Sequence, residues 1–240
     1  MSFSKQDEKF MRRCLALARK GEGRVSPNPL VGAVLAKKGK ILGEGAHERF
    51  GWRHAEPQAI YGKDAKGSTL YVSLEPCSHL CHGKHNPPCA PIIAGSGIKR
   101  VVVACKDPNP CVNGKGISFL KRSGLTVEIG LLENEAKQQN EAFFKLMKTG
   151  KPFVVAKLAQ SADGFIGIRG KSKVWLSGRE FDRYCHQLRN RYDAILVGIG
   201  TVLADNPLLT CRIKGGRNPA RIILDSKLRI PLGANVLKNA

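Results

Sequence analysis

His54-Ala55-Glu56, Glu75-Pro76-Cys77 and, twelve positions further on, Cys89 are the residues whose types and spacing could do chemistry. A catalytic zinc ion takes three protein ligands of nitrogen and sulfur type and keeps a fourth position for water. His54, Cys77 and Cys89 fit that count, and a His with two thiolates favours zinc over other divalent ions. Zinc acidifies its water toward neutral pH, so hydroxide can attack an electron-poor ring carbon that bears an amino group. A carboxylate that is not itself a ligand must then carry the proton to the ring nitrogen and the departing ammonia. Glu56, two residues after His54, is the candidate for that task.

The general signature of zinc deaminases is H-x-E followed by P-C-x-x-C. The first half is matched literally, while the second departs because eleven residues separate Cys77 from Cys89. The intervening stretch carries His79, Cys81, His82 and His85, of which Cys81 could replace Cys89 as a ligand. A fourth protein ligand would close the site, so the histidines read as loop or substrate-facing residues. Pro57, directly after Glu56, suits the first turn of a helix, where its missing N–H costs nothing.

The surrounding pattern says what must hold these residues. Phe10, Met11, Cys14, Leu15, Leu17 and Ala18 recur at helical spacing between Lys5 and Lys20, with Gly21 as a stop. Short apolar runs at Leu30–Ala36, Lys40–Gly45, Thr69–Leu74, Arg100–Cys105 and Leu125–Ile129 read as strands. Stretches of helical character around Pro57–Tyr61, Cys89–Ala94 and Lys115–Arg122 separate them, which predicts an α/β layer fold on one mixed sheet. One longer helix is expected from Glu133 to Lys148, closed by Thr149-Gly150-Lys151-Pro152. Beyond this boundary, a strand at Phe153–Ala159, a helix around Gly178–Arg189 and strands at Ala194–Gly198 and Arg221–Asp225 suggest a second α/β unit. The expected domains are therefore 1–149 and 150–240.

Composition narrows the class. The 240 residues carry a net charge of +21, with 24 basic against 13 acidic residues up to position 150 and 16 against 6 beyond it. Basicity spread in this way favours anionic ligands, either phosphorylated small molecules or nucleic acid, and is also compatible with an ordinary solvated surface. No stretch approaches the ~20 consecutive apolar residues needed to cross a bilayer. The start, MSFSKQDEKF, lacks the apolar core of a secretory signal, so a cytoplasmic protein with no membrane partner is expected. Eight cysteines in a reducing compartment leave thiolates free for metal. Cys14, Cys105, Cys111, Cys185 and Cys211 read as small buried residues or inert thiols.

Longer motifs carry a resemblance. Pro27-Asn28-Pro29-Leu30-Val31-Gly32, Gly43-Glu44-Gly45-Ala46-His47, His54-Ala55-Glu56, Leu74-Glu75-Pro76-Cys77-Ser78-His79, Pro87-Pro88-Cys89 and Asp107-Pro108-Asn109-Pro110 resemble the bifunctional deaminase/reductase family of riboflavin biosynthesis. After the boundary, Lys157-Leu158-Ala159-Gln160-Ser161-Ala162-Asp163-Gly164, Trp175 with Ser177, Asp193-Ala194-Ile195-Leu196-Val197-Gly198 and Thr201-Val202-Leu203-Ala204-Asp205-Asn206-Pro207 are similar to its reductase half.

The resemblance implies a cytidine-deaminase-like three-layer α/β/α domain followed by part of a dihydrofolate-reductase-like domain. The first would remove the ring amino group of a phosphorylated ribosylaminopyrimidine, 2,5-diamino-6-ribosylamino-4(3H)-pyrimidinone 5′-phosphate. The second would reduce the ribose to a ribityl chain with NADPH. In the deaminase, Asn28, His47, His79 and Lys84 match positions lining the substrate pocket. In the reductase, cofactor contacts would fall on Ala159, Trp175, Thr201, Asp205 and Ser226, and substrate contacts on Lys173, Arg189, Leu209 and Arg212. Forked arginine donors suit a phosphate.

Three departures accompany the resemblance. The loop between the cysteines is a few residues longer than usual, and Lys173 stands where a small hydroxyl residue is usual. The sequence stops at Ala240, before the family's Glu and glycine-rich segment, so a competent deaminase with an incomplete reductase is expected. A sheet cut there exposes an edge and an apolar face, which invites pairing between chains. Two other readings stand beside this one. A deaminase of nucleosides or RNA bases would share the zinc chemistry. A binding module with a purely structural zinc would have no need of Glu56.

Overall fold

The computed structural model describes residues 3–78, 86–168 and 175–238. The chain forms two compact units, Met1–Val154 and Val155–Ala240.

In the first unit, helix α1 (Lys5–Ala18) starts at a capping box: the Asp7 backbone N–H donates to Ser4 Oγ at 3.1 Å, and the Ser4 N–H donates to Asp7 Oδ2 at 3.0 Å. Strands β1 (Gly32–Lys37), β2 (Lys40–Ala46), β3 (Thr69–Val72), β4 (Arg100–Val103) and β5 (Thr126–Ile129) make one sheet in the order β2-β1-β3-β4-β5. β1 pairs antiparallel with β2 and β3; β3, β4 and β5 run parallel. The parallel connections are made by α3 (Cys89–Gly95) and α4 (Lys115–Arg122), while α2 (Ala55–Ile60) joins β2 to β3.

Both faces are covered, and the pleat shows how. Leu35, Leu70 and Val101 lie side by side in register and bury against Ala55, Ala59, Ile93 and Leu120 of α2, α3 and α4. Their neighbours Val34, Tyr71 and Val102 point the other way and pack on Phe10, Met11 and Cys14 of α1 and on Ala136 and Phe144 of the C-terminal helices. The central strands are therefore continuous apolar runs, as burial on both sides requires. The result is a three-layer α/β/α sandwich.

The long helix expected over Glu133–Lys148 is broken into α5 (Glu133–Gln139) and α6 (Glu141–Thr149). Asn140 leaves helical geometry at φ −108° and ψ 22°. Its buried side chain accepts from the Leu30 N–H at 2.8 Å and donates to the Leu30 carbonyl at 2.9 Å. A tertiary hydrogen-bond pair thus overrides local helix propensity.

In the second unit, α7 (Arg179–Arg191) precedes β6 (Ala194–Gly198), α8 (Ile199–Asp205) and β7 (Ala220–Leu224), and the two strands pair in parallel. Ile195, Val197 and Ile223 pack around Ile199, Val202 and Leu209. The opposite face, with Leu196, Ile222 and Leu224, is exposed. The strand expected at Phe153–Ala159 does not form. The segment has no ladder partner among the described residues, and Val154, Val155 and Leu158 are exposed. An alternating apolar sequence becomes a strand only when a neighbour takes its backbone hydrogen bonds.

Candidate active site

His54 is the residue immediately before α2, Glu56 lies in its first turn, and Cys89 is the first residue of α3. Cys77 follows β3 across the short link Ser73–Pro76. These starts converge because α2 lies very close to β2. A Cβ on Gly43 or Gly45 would run into the carbonyl oxygens of Ala59 and Ala55, so glycine at both positions permits the approach. Gln58 then clamps the segment: its Nε2 donates to Ala46 O at 2.7 Å and to Arg53 O at 3.0 Å.

His54 Nδ1 lies 3.2 Å from Cys89 Sγ and 3.7 Å from Cys77 Sγ. One donor atom from each of the three residues falls within 4.8 Å of the others. Tetrahedral zinc with Zn–N and Zn–S bonds of ordinary length separates such donors by about 3.6 Å. The donor set and its spacing therefore fit zinc. The fit extends to the backbone, because the Cys89 N–H donates to Cys77 Sγ at 3.4 Å and the Ala90 N–H donates to the Cys77 carbonyl at 2.9 Å. The neighbouring Cys77 sulfur and burial push the Cys89 thiol up, an arrangement that a cation between the sulfurs reverses.

Glu56 is 3% exposed, and burial pushes its carboxyl above the usual carboxylate range. It faces a pocket that it shares with His54, Cys77, Asn28, His47, Asn86, Asp107, Asn109 and Phe143. His47 is buried, and its Nδ1 lies 3.2 Å from the Arg53 carbonyl. A carbonyl can only accept, so Nδ1 carries the proton and Nε2 is left to accept from Asn28 Nδ2 at 3.2 Å. Burial lowers the His47 pKa, which keeps the ring neutral. This chain of donors turns the Asn28 amide so that its oxygen remains as the acceptor.

Sequence reasoning gave no role to several residues that line this pocket. Phe143 arrives on α6, which only the break at Asn140 makes separate. Asp107 and Asn109 stand in the Asp-Pro-Asn-Pro run, whose proline-rich composition was the available signal. Glu75 is buried, and its carboxylate accepts four backbone N–H groups: Asp107 at 3.3 Å, Gly114 at 2.9 Å, Gly116 at 3.0 Å and Ile117 at 3.2 Å. His79, Cys81, His82, Lys84 and His85 lie outside the described residues, as does Lys173.

The residues named for the second half are distributed as follows. Thr201 lies on α8 just past the carboxyl end of β6, and Ser226 just past the carboxyl end of β7. Both are exposed, on the side of a parallel sheet where ligands commonly bind. Asp205 is exposed at the end of α8, Ala159 is half-buried in the extended segment, and Trp175 is 66% exposed. Arg189 of α7 donates to Thr210 O at 3.1 Å, next to buried Leu209. The Arg212 N–H donates to Nδ1 of buried His186 at 3.1 Å, so Arg189 and His186 of α7 both anchor the stretch Leu209–Arg212.

Fold and metal cluster together define a cytidine-deaminase-like domain with a zinc site, followed by a second α/β unit. Residues 4–105 match the family described as cytidine and deoxycytidylate deaminase zinc-binding region, and residues 152–240 match the RibD C-terminal domain. The riboflavin biosynthesis protein RibD of Bacillus amyloliquefaciens is 49% identical over 96% of this chain and 62% of its own length. That of Aquifex aeolicus is 45% identical over 96% of this chain and 65% of its own length. A solved diaminohydroxyphosphoribosylaminopyrimidine deaminase/5-amino-6-(5-phosphoribosylamino)uracil reductase from Thermotoga maritima is 44% identical, with a TM-score of 0.92 over 98% of this chain and 67% of that one. The chain belongs to the RibD family of riboflavin biosynthesis. It spans under two thirds of the length of the two curated relatives. No helix among the described residues is long and apolar enough to cross a membrane.

Proposed function

We propose that residues 1–149 form a zinc-dependent deaminase that hydrolyses the ring amino group of 2,5-diamino-6-ribosylamino-4(3H)-pyrimidinone 5′-phosphate. The observation that carries this reading is the convergence of His54, Cys77 and Cys89 beside a buried, non-ligating Glu56 in one pocket. Bound by those three residues, zinc supplies the Lewis acidity that makes water nucleophilic at neutral pH. Glu56 would shuttle the two protons of the water in turn, the first to the ring nitrogen and the second to the leaving amine, which a group fixed in the first turn of α2 can do without moving its backbone. Asn28, turned by His47, presents its oxygen to ring N–H groups. Leu74, Val112 and Phe143 exclude bulk water from the pocket.

Residues 150–240 contribute to the NADPH-dependent reduction of the ribose in this proposal. Thr201 and Ser226 beyond the parallel strand ends, and the arginine pair tied to α7, support dinucleotide and phosphate contacts respectively. The spread positive charge suits a phosphorylated substrate.

Ammonia release from the ribosylaminopyrimidine phosphate by zinc-loaded protein tests the deaminase assignment. Glu56→Gln is expected to keep its zinc and lose about a hundredfold or more in rate. No release by the wild-type protein, or undiminished release by the variant, overturns it.

A further inference from the structure

Glu75 sits two residues before the zinc ligand Cys77 and lines the same pocket, yet its carboxylate oxygens are taken up by the backbone of the next crossover. Its Oε2 accepts from Asp107 and Gly114, and its Oε1 from Gly116 and Ile117. The segment so gathered, Asp107 to the first turn of α4, carries Asp107, Asn109 and Val112 of the pocket wall. Within it, Asp107 Oδ1 accepts from the Asn109 N–H at 2.8 Å, which passes the anchor on to Asn109. A second contact locks the same pieces together. Gly116 lies so close to the Pro76 carbonyl that any Cβ there would collide with it.

Resting on the deaminase reading above, we infer that Glu75 is a positioning residue for substrate: it fixes the Asp107–Val112 wall at a set distance from the zinc-ligand segment and so determines how tightly the pyrimidine is held. Only a carboxylate meets the requirement. Four N–H donors converge on two oxygens, and a side chain bearing its own N–H would turn a donor against two of them. The carboxylate is engaged with backbone N–H groups and is not one of the clustered metal-ligating residues, so its loss alters the fit of the pocket while leaving His54, Cys77, Cys89 and Glu56 in place.

The test compares wild type, Glu75→Gln and Glu75→Asp by the substrate dependence of ammonia release, zinc content per chain and amide hydrogen exchange. Glu75→Gln is expected to retain full zinc, raise KM about tenfold or more with kcat within about threefold, and speed exchange at Gly114, Gly116 and Ile117. Glu75→Asp keeps the charge with a shorter arm and falls between wild type and Gln; if the Gln variant does not fold, its raised KM carries the test alone. A KM within twofold of wild type in a folded, zinc-loaded variant overturns the positioning role, as does a fall in kcat through loss of zinc with KM unchanged. Absence of ammonia release by the wild type instead overturns the deaminase reading and the inference with it.

Discussion

The side-chain amide of Asn140 brackets the peptide of Leu30, accepting from its N–H and donating to its carbonyl. Leu30 follows the Val25–Asn28 turn that carries Asn28 to the pocket, and Asn140 opens the helix that presents Phe143. One residue thereby sets two walls.

Replacing Asn140 by Ala leaves both Leu30 groups without this partner in a half-buried setting, which costs about 1–3 kcal/mol of stability. The expected result is a lower urea midpoint for the first unit. Asn140→Asp restores an acceptor for the Leu30 N–H but turns an anion toward the Leu30 carbonyl, so it should rescue nothing. Equal midpoints for wild type and Asn140→Ala would remove the clamp from the account.

How much of this was legible in the sequence depends on where each residue's partners lie. The metal ligands and Glu56 could be read because their chemistry restricts residue type whatever the fold. The central strands of the first sheet were readable because both faces are covered, which leaves unbroken apolar runs. The break at Asn140 was not, since its cause is a residue 110 positions earlier. Nor was the task of Glu75, whose four donors lie 32 to 42 residues downstream. Phe153–Ala159 fails in the opposite sense: its alternation is that of a strand, but pairing is supplied by a neighbour and not by the segment itself.

Asp7 predicts an acid sensitivity. Burial alone would raise its carboxyl, but hydrogen bonds from Arg100 Nη1 at 2.6 Å, Tyr71 Oη at 2.6 Å and Ser4 hold it well below the usual carboxylate range. Arg100 continues the network to Glu128, so α1, β3, β4 and β5 are joined through one half-buried charge cluster. Because the folded pKa lies below the unfolded one, the stabilisation is complete above the unfolded value near ~4 and is lost as pH falls toward the folded value. Denaturation midpoints of the wild type should therefore drop as pH is lowered from about 5. Asp7→Asn should be less stable by about 1–3 kcal/mol at neutral pH, and its midpoint should change less over the acid range. Parallel acid profiles for the two proteins would contradict the assignment.

The approach of α2 to β2 gives the sharpest steric prediction. Gly45 faces the Ala55 carbonyl, one residue after His54 and one before Glu56, with no room for a methyl group. Gly45→Ala must push the start of α2 off the sheet, and overpacking of this kind costs about 1–3 kcal/mol. The displaced residues are the ligand and the proton carrier themselves, while Cys77 and Cys89 hang from β3 and α3 and stay behind. Zinc affinity should accordingly fall by about tenfold or more, in line with a ligand held off its productive position. Competition with a chromophoric chelator measures this directly. A control at Gly62, where an added Cβ meets nothing within 4 Å but the backbone has φ +69°, separates backbone strain from displacement of the site. Gly62→Ala should lower stability and leave zinc affinity alone, so equal losses of affinity in the two variants would argue that α2 is not held by this contact.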